Sequence, residues 1–188
     1  MDVKELIDAL DEVLRLKRVP RSGWLYYGVQ PAESVADHSF GVAFLTLVLA
    51  ELLKRDGAEI DEARALKIAL LHEIGEAKIG DLHLESRDYI GEEPIREGEK
   101  RAVSDILEKA GLPELAELWL EFEERSTPEG RLVRAADKLE LLLQAYIYEK
   151  HGYGDLERVF REKRTRKNFE GFEIIKKIME EIDSRRKK

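Results

Sequence analysis

At 188 residues, 43% of them apolar, the chain suits one domain with a single core. Its 32 basic and 40 acidic residues leave a net charge of −8, a dense mixed surface that gives no reason to expect nucleic acid as a partner. The absence of cysteine excludes disulfides, thiolate-bound zinc and thiol nucleophiles.

Nearly every segment reads as helix. Residues 3–16 carry Val3, Leu6, Ile7, Leu10, Val13 and Leu14 at helical spacing. Residues 18–33 break that pattern with two prolines and two glycines, and predict an ordered, aromatic-rich loop. Ser34 is the expected N-cap of a long helix ending at Arg55, closed by Asp56-Gly57, and Asp61 caps the next, which runs on through ALLHEIGEAKIGDL (69–82) to a turn near Gly80. A loop to Gly91 follows, then a helix to Ala110 with Gly111 at its end. Pro113 opens a helix ending near Arg125. Ser126 and Glu129 predict a capping box, with Pro128 in the first helical position of a helix reaching His151. The stretches 155–166 and from Asn168 to the C-terminus predict the last two helices. The fold class is all-α: a single-domain compact helical bundle over 1–188, with its core at about 30–150 and helices 154–186 packed on it.

No segment reads as a signal peptide, and no uninterrupted apolar run approaches the ~18 residues of a membrane span, so a cytoplasmic chain without membrane contact is expected. The basic stretch Arg161–Lys167 is broken by Glu162 and reads as a solvated helix face, as does the terminal RRKK. Asn168 is the one asparagine and Gln30 and Gln144 the two glutamines, a bias that fits a thermophile.

Four polar side chains occupy positions where helical periodicity calls for apolar ones. His38 shares a stripe with Val42, Leu45, Leu49 and Leu52; His72 with Ala65, Ile68 and Ala69; Asp137 with Val133 and Leu141; Glu73 adjoins His72. A lone histidine there could be a core residue bonded to a carbonyl, and Asp137 could pair with Arg134. Two imidazoles and two carboxylates on core-facing stripes of three helices instead suit one divalent ion such as Mn, Fe, Co, Ni or Zn, with Mg possible.

The stretches ESVADHS (33–39), LLHEIGEAKIGDL (70–82) and RAADKLE (134–140), with LKRVPRSGW (16–24) and LLLQAYIYEK (141–150), resemble the HD-domain metal-dependent phosphohydrolases, in particular their 5′-deoxynucleotidase-like branch. The resemblance covers roughly residues 5–150. It implies a helical metalloenzyme that hydrolyses a nucleotide phosphate monoester, with a homodimeric assembly. The ligands it implies are His38, His72, Glu73 and Asp137. It further implies Glu76 as general acid/base, Asp81 as the group orienting water, and Arg18 or Arg21 with Trp24 for substrate; Lys138 is a further candidate phosphate contact, or equally a partner for Glu140 or Glu76. The sequence departs from the family at Glu73, where the family carries Asp, and the added methylene predicts an altered metal preference. The same site could instead serve a phosphodiesterase or a nucleotide polyphosphate hydrolase, or an impaired protein that only binds metal or nucleotide.

Overall fold

The computed structural model describes residues 2–187; Met1 and Lys188, the last residue of the basic tail, lie outside the described residues. Asp2 accepts the Lys4 amide and caps α1 (Val3–Leu14), which gives way to a 3-10 turn at Arg15–Arg18. The apolar stripe of α1 is not a core face. Val3, Ile7, Leu10 and Leu14 are exposed, and Ala9 is the buried residue of the helix. The aromatic segment that follows is ordered but contains a short helix, α2 (Ser22–Tyr26), and a bridge from Pro20 to Ser34.

Helix α3 (Val35–Arg55) starts at a capping box. The Ser34 hydroxyl accepts the Asp37 amide, and the Asp37 carboxylate accepts the Ser34 amide. By length and composition α3 would suffice to cross a membrane, a property uninterrupted-run counting misses. Its inner face instead packs against α4 (Glu62–Leu71) and α9 (Pro128–Lys150), and buries His38, Val42, Thr46, Leu49 and Ala50.

The helix expected to run from Asp61 to near Gly80 breaks. α4 ends at Leu71, residues 72–75 form a turn, and α5 (Glu76–Ile79) restarts the chain. Gly75 packs tightly there: a Cβ would lie 3.2 Å from the Glu99 carbonyl and 3.3 Å from Val103, so these neighbours would have to give by a few tenths of an ångström. The expected loop before Gly91 is largely helical, as α6 (Leu84–Ile90) capped by His83. α7 (Glu92–Lys109) leads through a 3-10 turn at Pro113–Leu115 to α8 (Ala116–Glu124). Thr127 rather than Ser126 caps α9, by accepting the Gly130 amide. Glu129 does not close a box; its carboxylate accepts the Asp61 amide and so ties α9 to the start of α4. The C-terminal region divides into α10 (Glu157–Arg161), α11 (Lys163–Arg166) and α12 (Glu173–Arg186), which begins five residues after Asn168.

Among the described residues there is no strand, and the fold is all-α. The main core joins α3, α4, α8 and α9 with Val159 and Phe160 of α10 and Ile175, Met179 and Ile182 of α12. A smaller one gathers Leu16, Ile74, Val103, Ile106 and Trp119. Each fully buried Leu or Ile contributes roughly 1.5–3 kcal/mol. The result is a rigid frame of three long helices that holds His38, His72 and Asp137 at fixed positions.

Candidate metal centre

His38 enters from the first turn of α3, His72 from the C-cap of α4, Glu73 from the turn that follows and Asp137 from the middle of α9. One potential ligand atom from each lies within 4.8 Å of all the others. His38 Nε2 is 3.4 Å from Asp137 Oδ1 and 3.9 Å from Glu73 Oε1, and His72 Nε2 is 3.8 Å from the same glutamate oxygen. Both imidazoles are fixed from behind. His38 Nδ1 is 2.6 Å from Glu140 Oε2, and His72 Nδ1 is 2.7 Å from the Ala69 carbonyl. Each Nδ1 is thus held by an acceptor, and each Nε2 faces the cluster.

The inward atoms test whether a metal suits this set. His38 Nε2, His72 Nε2 and Asp137 Oδ1 are buried and have no hydrogen-bond partner. Three converging orphans of this kind are costly unless a cation satisfies them. Two neutral imidazoles and two carboxylates match a borderline divalent ion in ligand type and in charge. A second trio, Glu33, His38 and Glu140, is also close enough to be considered, but there the short His38–Glu140 contact is a hydrogen bond within the protein.

The electrostatics agree. Burial lowers the His72 pKa, against the pull of Glu73, so the ring stays neutral. Burial and Arg21 act to lower His38, but Asp137 and Glu140 outweigh them and raise it to about 9, so a cation bound at Nε2 would take the place of a proton. Burial would raise Asp137, yet Lys138, His38 and Arg134 hold it well below the usual carboxylate range. Burial likewise opposes ionisation of Glu73, and His72 with Arg21 reverses the effect. Glu76 goes the other way: burial, then Glu73 and Asp81, push it well above an ordinary glutamate. Its Oε2 is buried and unpartnered.

His72 and Glu73 of the cluster form the floor of a cavity of about 420 Å³, within the usual ~300–1,000 Å³ of small-molecule sites, and His38 and Asp137 are buried beneath them. Arg21 stands over it, with Nη1 3.5 Å from Glu73 Oε1 and 3.7 Å from Asp81 Oδ2. Asp81 accepts the Ser22 amide at 2.7 Å, which fastens the start of α2 to the turn after α5. Trp24 lines the wall and is buried, its Nε1 donating to Glu33. Lys138 also lines it, with Nζ 2.9 Å from Asp137 Oδ2 rather than on Glu140 or Glu76. Arg18, the alternative to Arg21, is exposed at the end of the 3-10 turn and does not line this cavity. Glu76 sits here because α5 restarts the chain, not because it continues the His72 face of α4.

Around the site, Glu140 backs His38, and Glu99 and Arg87 pair 3.2 Å apart on the cavity wall, contacts that the sequence alone does not reveal. Arg134 stacks 4.0 Å over Phe122, which in turn packs edge-on against His72. Glu140 did leave a signal: a charged side chain one turn beyond Asp137 on the buried face of α9.

A helical frame in which a histidine, a histidine–carboxylate doublet and a distant aspartate converge beneath a cavity defines an HD-type centre. A family model described as an HD domain matches residues 13–179, and the chain belongs to that family. It is 40% identical over 141 residues to 5′-deoxynucleotidase HDDC2 of Dictyostelium discoideum, covering 72% of this chain and 73% of that protein. The Homo sapiens 5′-deoxynucleotidase HDDC2 is 36% identical over 149 residues, covering 78% and 69%. Among solved structures, a conserved hypothetical protein from Pyrococcus furiosus superposes with a TM-score of 0.83 at 44% identity, over 95% of this chain and 99% of that one.

Proposed function

We propose that the chain is a metal-dependent phosphomonoesterase that removes the 5′-phosphate from deoxyribonucleoside monophosphates. The observation that carries this reading is the convergence of unpartnered His38, His72 and Asp137 atoms, with Glu73, beneath a cavity that also presents Arg21, Glu76 and Asp81. His38, His72, Glu73 and Asp137 would hold one divalent ion. Such an ion supplies Lewis acidity, making water a better nucleophile and offsetting charge on the phosphoryl oxygens.

The protein's own groups account for the remaining steps. Arg21 offers a guanidinium to the phosphate from a position already fixed by Glu73 and Asp81. Asp81 has Oδ2 engaged by the Ser22 amide, so Oδ1 is left to orient the attacking water. Attack of water forms the new P–O bond as the bond to O5′ breaks; Glu76, which burial makes a weaker acid than an ordinary glutamate, donates a proton to O5′ and regains one from the attacking water. Trp24 supplies an apolar wall for the sugar. Lys138 holds Asp137 ionised and stands within reach of the phosphate.

A cytoplasmic location, a thermophilic source, action of the whole chain as one domain and a homodimer belong to the same reading. The dimer is supported by two exposed apolar stripes, Val3, Ile7, Leu10 and Leu14 on α1 and Phe40, Phe44 and Val48 on α3. α3 packs against the 3-10 turn that follows α1, so the stripes flank one region. Light scattering of Phe44→Glu would show a monomer if this face joins two copies.

Phosphate release from matched deoxy- and ribonucleoside monophosphates, with several divalent ions, tests the activity. Preference for the deoxy series is the expected result. Equal rates would remove the sugar preference, and no release under any metal would contradict the assignment.

A further inference from the structure

Helix α3 is 21 residues long and, two turns from its start, places a glycine where an alanine would favour the helix. Gly41 lies three residues beyond His38, and the reason for a missing side chain is specific. A Cβ at that position would meet Glu140 Cγ and Oε1 at 2.9 Å, closer than real contacts allow. Gly41 therefore gives up helix stability and admits the Glu140 carboxylate of α9 against α3. That carboxylate reaches His38 Nδ1 at 2.6 Å, on the opposite side of the ring from the metal cluster. Glu140 is itself buried, and Glu33 closes the space beside it, held by the Trp24 indole and the Tyr148 hydroxyl.

The two imidazoles of the cluster are thus not equivalent. His72 donates to a neutral backbone carbonyl, His38 to a carboxylate. A carboxylate on Nδ1–H fixes the tautomer, locks the ring plane and makes Nε2 the more basic donor. We propose that Glu140 is a positioning residue for the metal centre, and that Gly41 exists to seat it, so that His38 is the dominant nitrogen ligand. This inference rests on the metal-binding reading above and extends it to two residues outside the ligand set.

The test is cobalt(II) binding to the metal-stripped full-length chain by titration calorimetry, with far-ultraviolet circular dichroism as the check on folding. Glu140→Ala should weaken binding by about 10–100-fold. Gly41→Ala should also weaken it, although alanine is the better helix former, because the new Cβ displaces Glu140. The double variant should bind no worse than Glu140→Ala alone, since with the carboxylate gone the glycine has nothing left to seat. Glu140→Gln, close in shape and still able to accept from Nδ1–H, should lose only a few-fold and serves if the alanine variant folds poorly.

Wild-type affinity in both Glu140→Ala and Gly41→Ala, with binding abolished in His38→Ala, would overturn this inference and leave the metal reading standing. Fully additive losses in the double variant would overturn the link between Gly41 and Glu140. Failure of the wild-type chain to bind cobalt(II) would remove both readings together.

Discussion

The floor and the mouth of the cavity are built by different means. The floor takes His38, His72 and Asp137 from α3, α4 and α9, whose apolar faces form the main core, so each side chain is fixed by helices that cannot shift independently. The mouth is made by α2, α6, α10 and α11, helices of four to seven residues. These are joined across the opening by polar contacts, Tyr26 to Glu85 and Arg164 to Asp88, that are open to solvent. Burial makes ionic contacts consequential at the floor, and hydration makes them weak at the mouth. The division places the chemistry on the rigid elements and leaves the opening to segments held by little energy.

This contrast ranks the expected effects. At the floor, Glu76→Gln keeps the shape and removes the donated proton, so turnover should fall by about 10²–10⁴-fold with metal still bound; single-turnover phosphate release checks it, and unchanged turnover would take Glu76 out of the reaction. Glu73→Asp retracts the carboxylate by ~1.5 Å along the same backbone. Because Glu73 Oε1 already reaches within 4 Å of both imidazole Nε2 atoms, shortening it should weaken metal binding by about 10-fold, in the range typical of disturbing a metal site's geometry. Calorimetric titration against the wild type would show this, and tighter binding would mean that the turn at 72–75 adjusts freely.

On the wall between the two regions, burial raises Glu99 to about 7, with Arg87 only partly offsetting it. An acid raised on folding stabilises fully below its unfolded pKa, and that contribution is lost as pH rises through the folded value. Glu99→Gln should therefore lose less stability than wild type between pH 4.5 and 7, by roughly 2 kcal/mol. Urea melts at the two pH values measure the difference, and parallel pH dependence of the two proteins would contradict it. At the mouth, Arg164→Ala breaks an exposed ion pair and should cost less than about 1 kcal/mol, with metal affinity unchanged. A large loss in thermal melts would show that the opening is held as firmly as the floor.

The same contrast decides what was legible in the sequence. Helices α3, α7 and α9 are long and periodic, and their helical pattern carries directly into the core. His38, His72 and Asp137 stood out because a polar side chain on an apolar stripe is costly unless something satisfies it. Elements set by tertiary contact were illegible. At the break over 72–75, Gly75 packs against the α7 backbone, a contact that local propensity does not record. α6 lacks an apolar stripe and is capped by a histidine, an uncommon N-cap, so it read as a loop. The stripe on α1 is legible as an apolar face, but periodicity does not report what covers it. Glu140 read as a possible partner for Lys138 because its actual partner, His38, lies 102 residues away.

The central claim is that one divalent ion held by His38, His72, Glu73 and Asp137 makes this chain a phosphohydrolase. Its most direct test is metal content, by elemental analysis after reloading and desalting, measured alongside phosphate release for wild type and Asp137→Ala. The account predicts about one ion per wild-type chain, and loss of both the ion and the activity in Asp137→Ala with the helical fold retained. Full activity in chelator-treated wild type, or in Asp137→Ala, would contradict it.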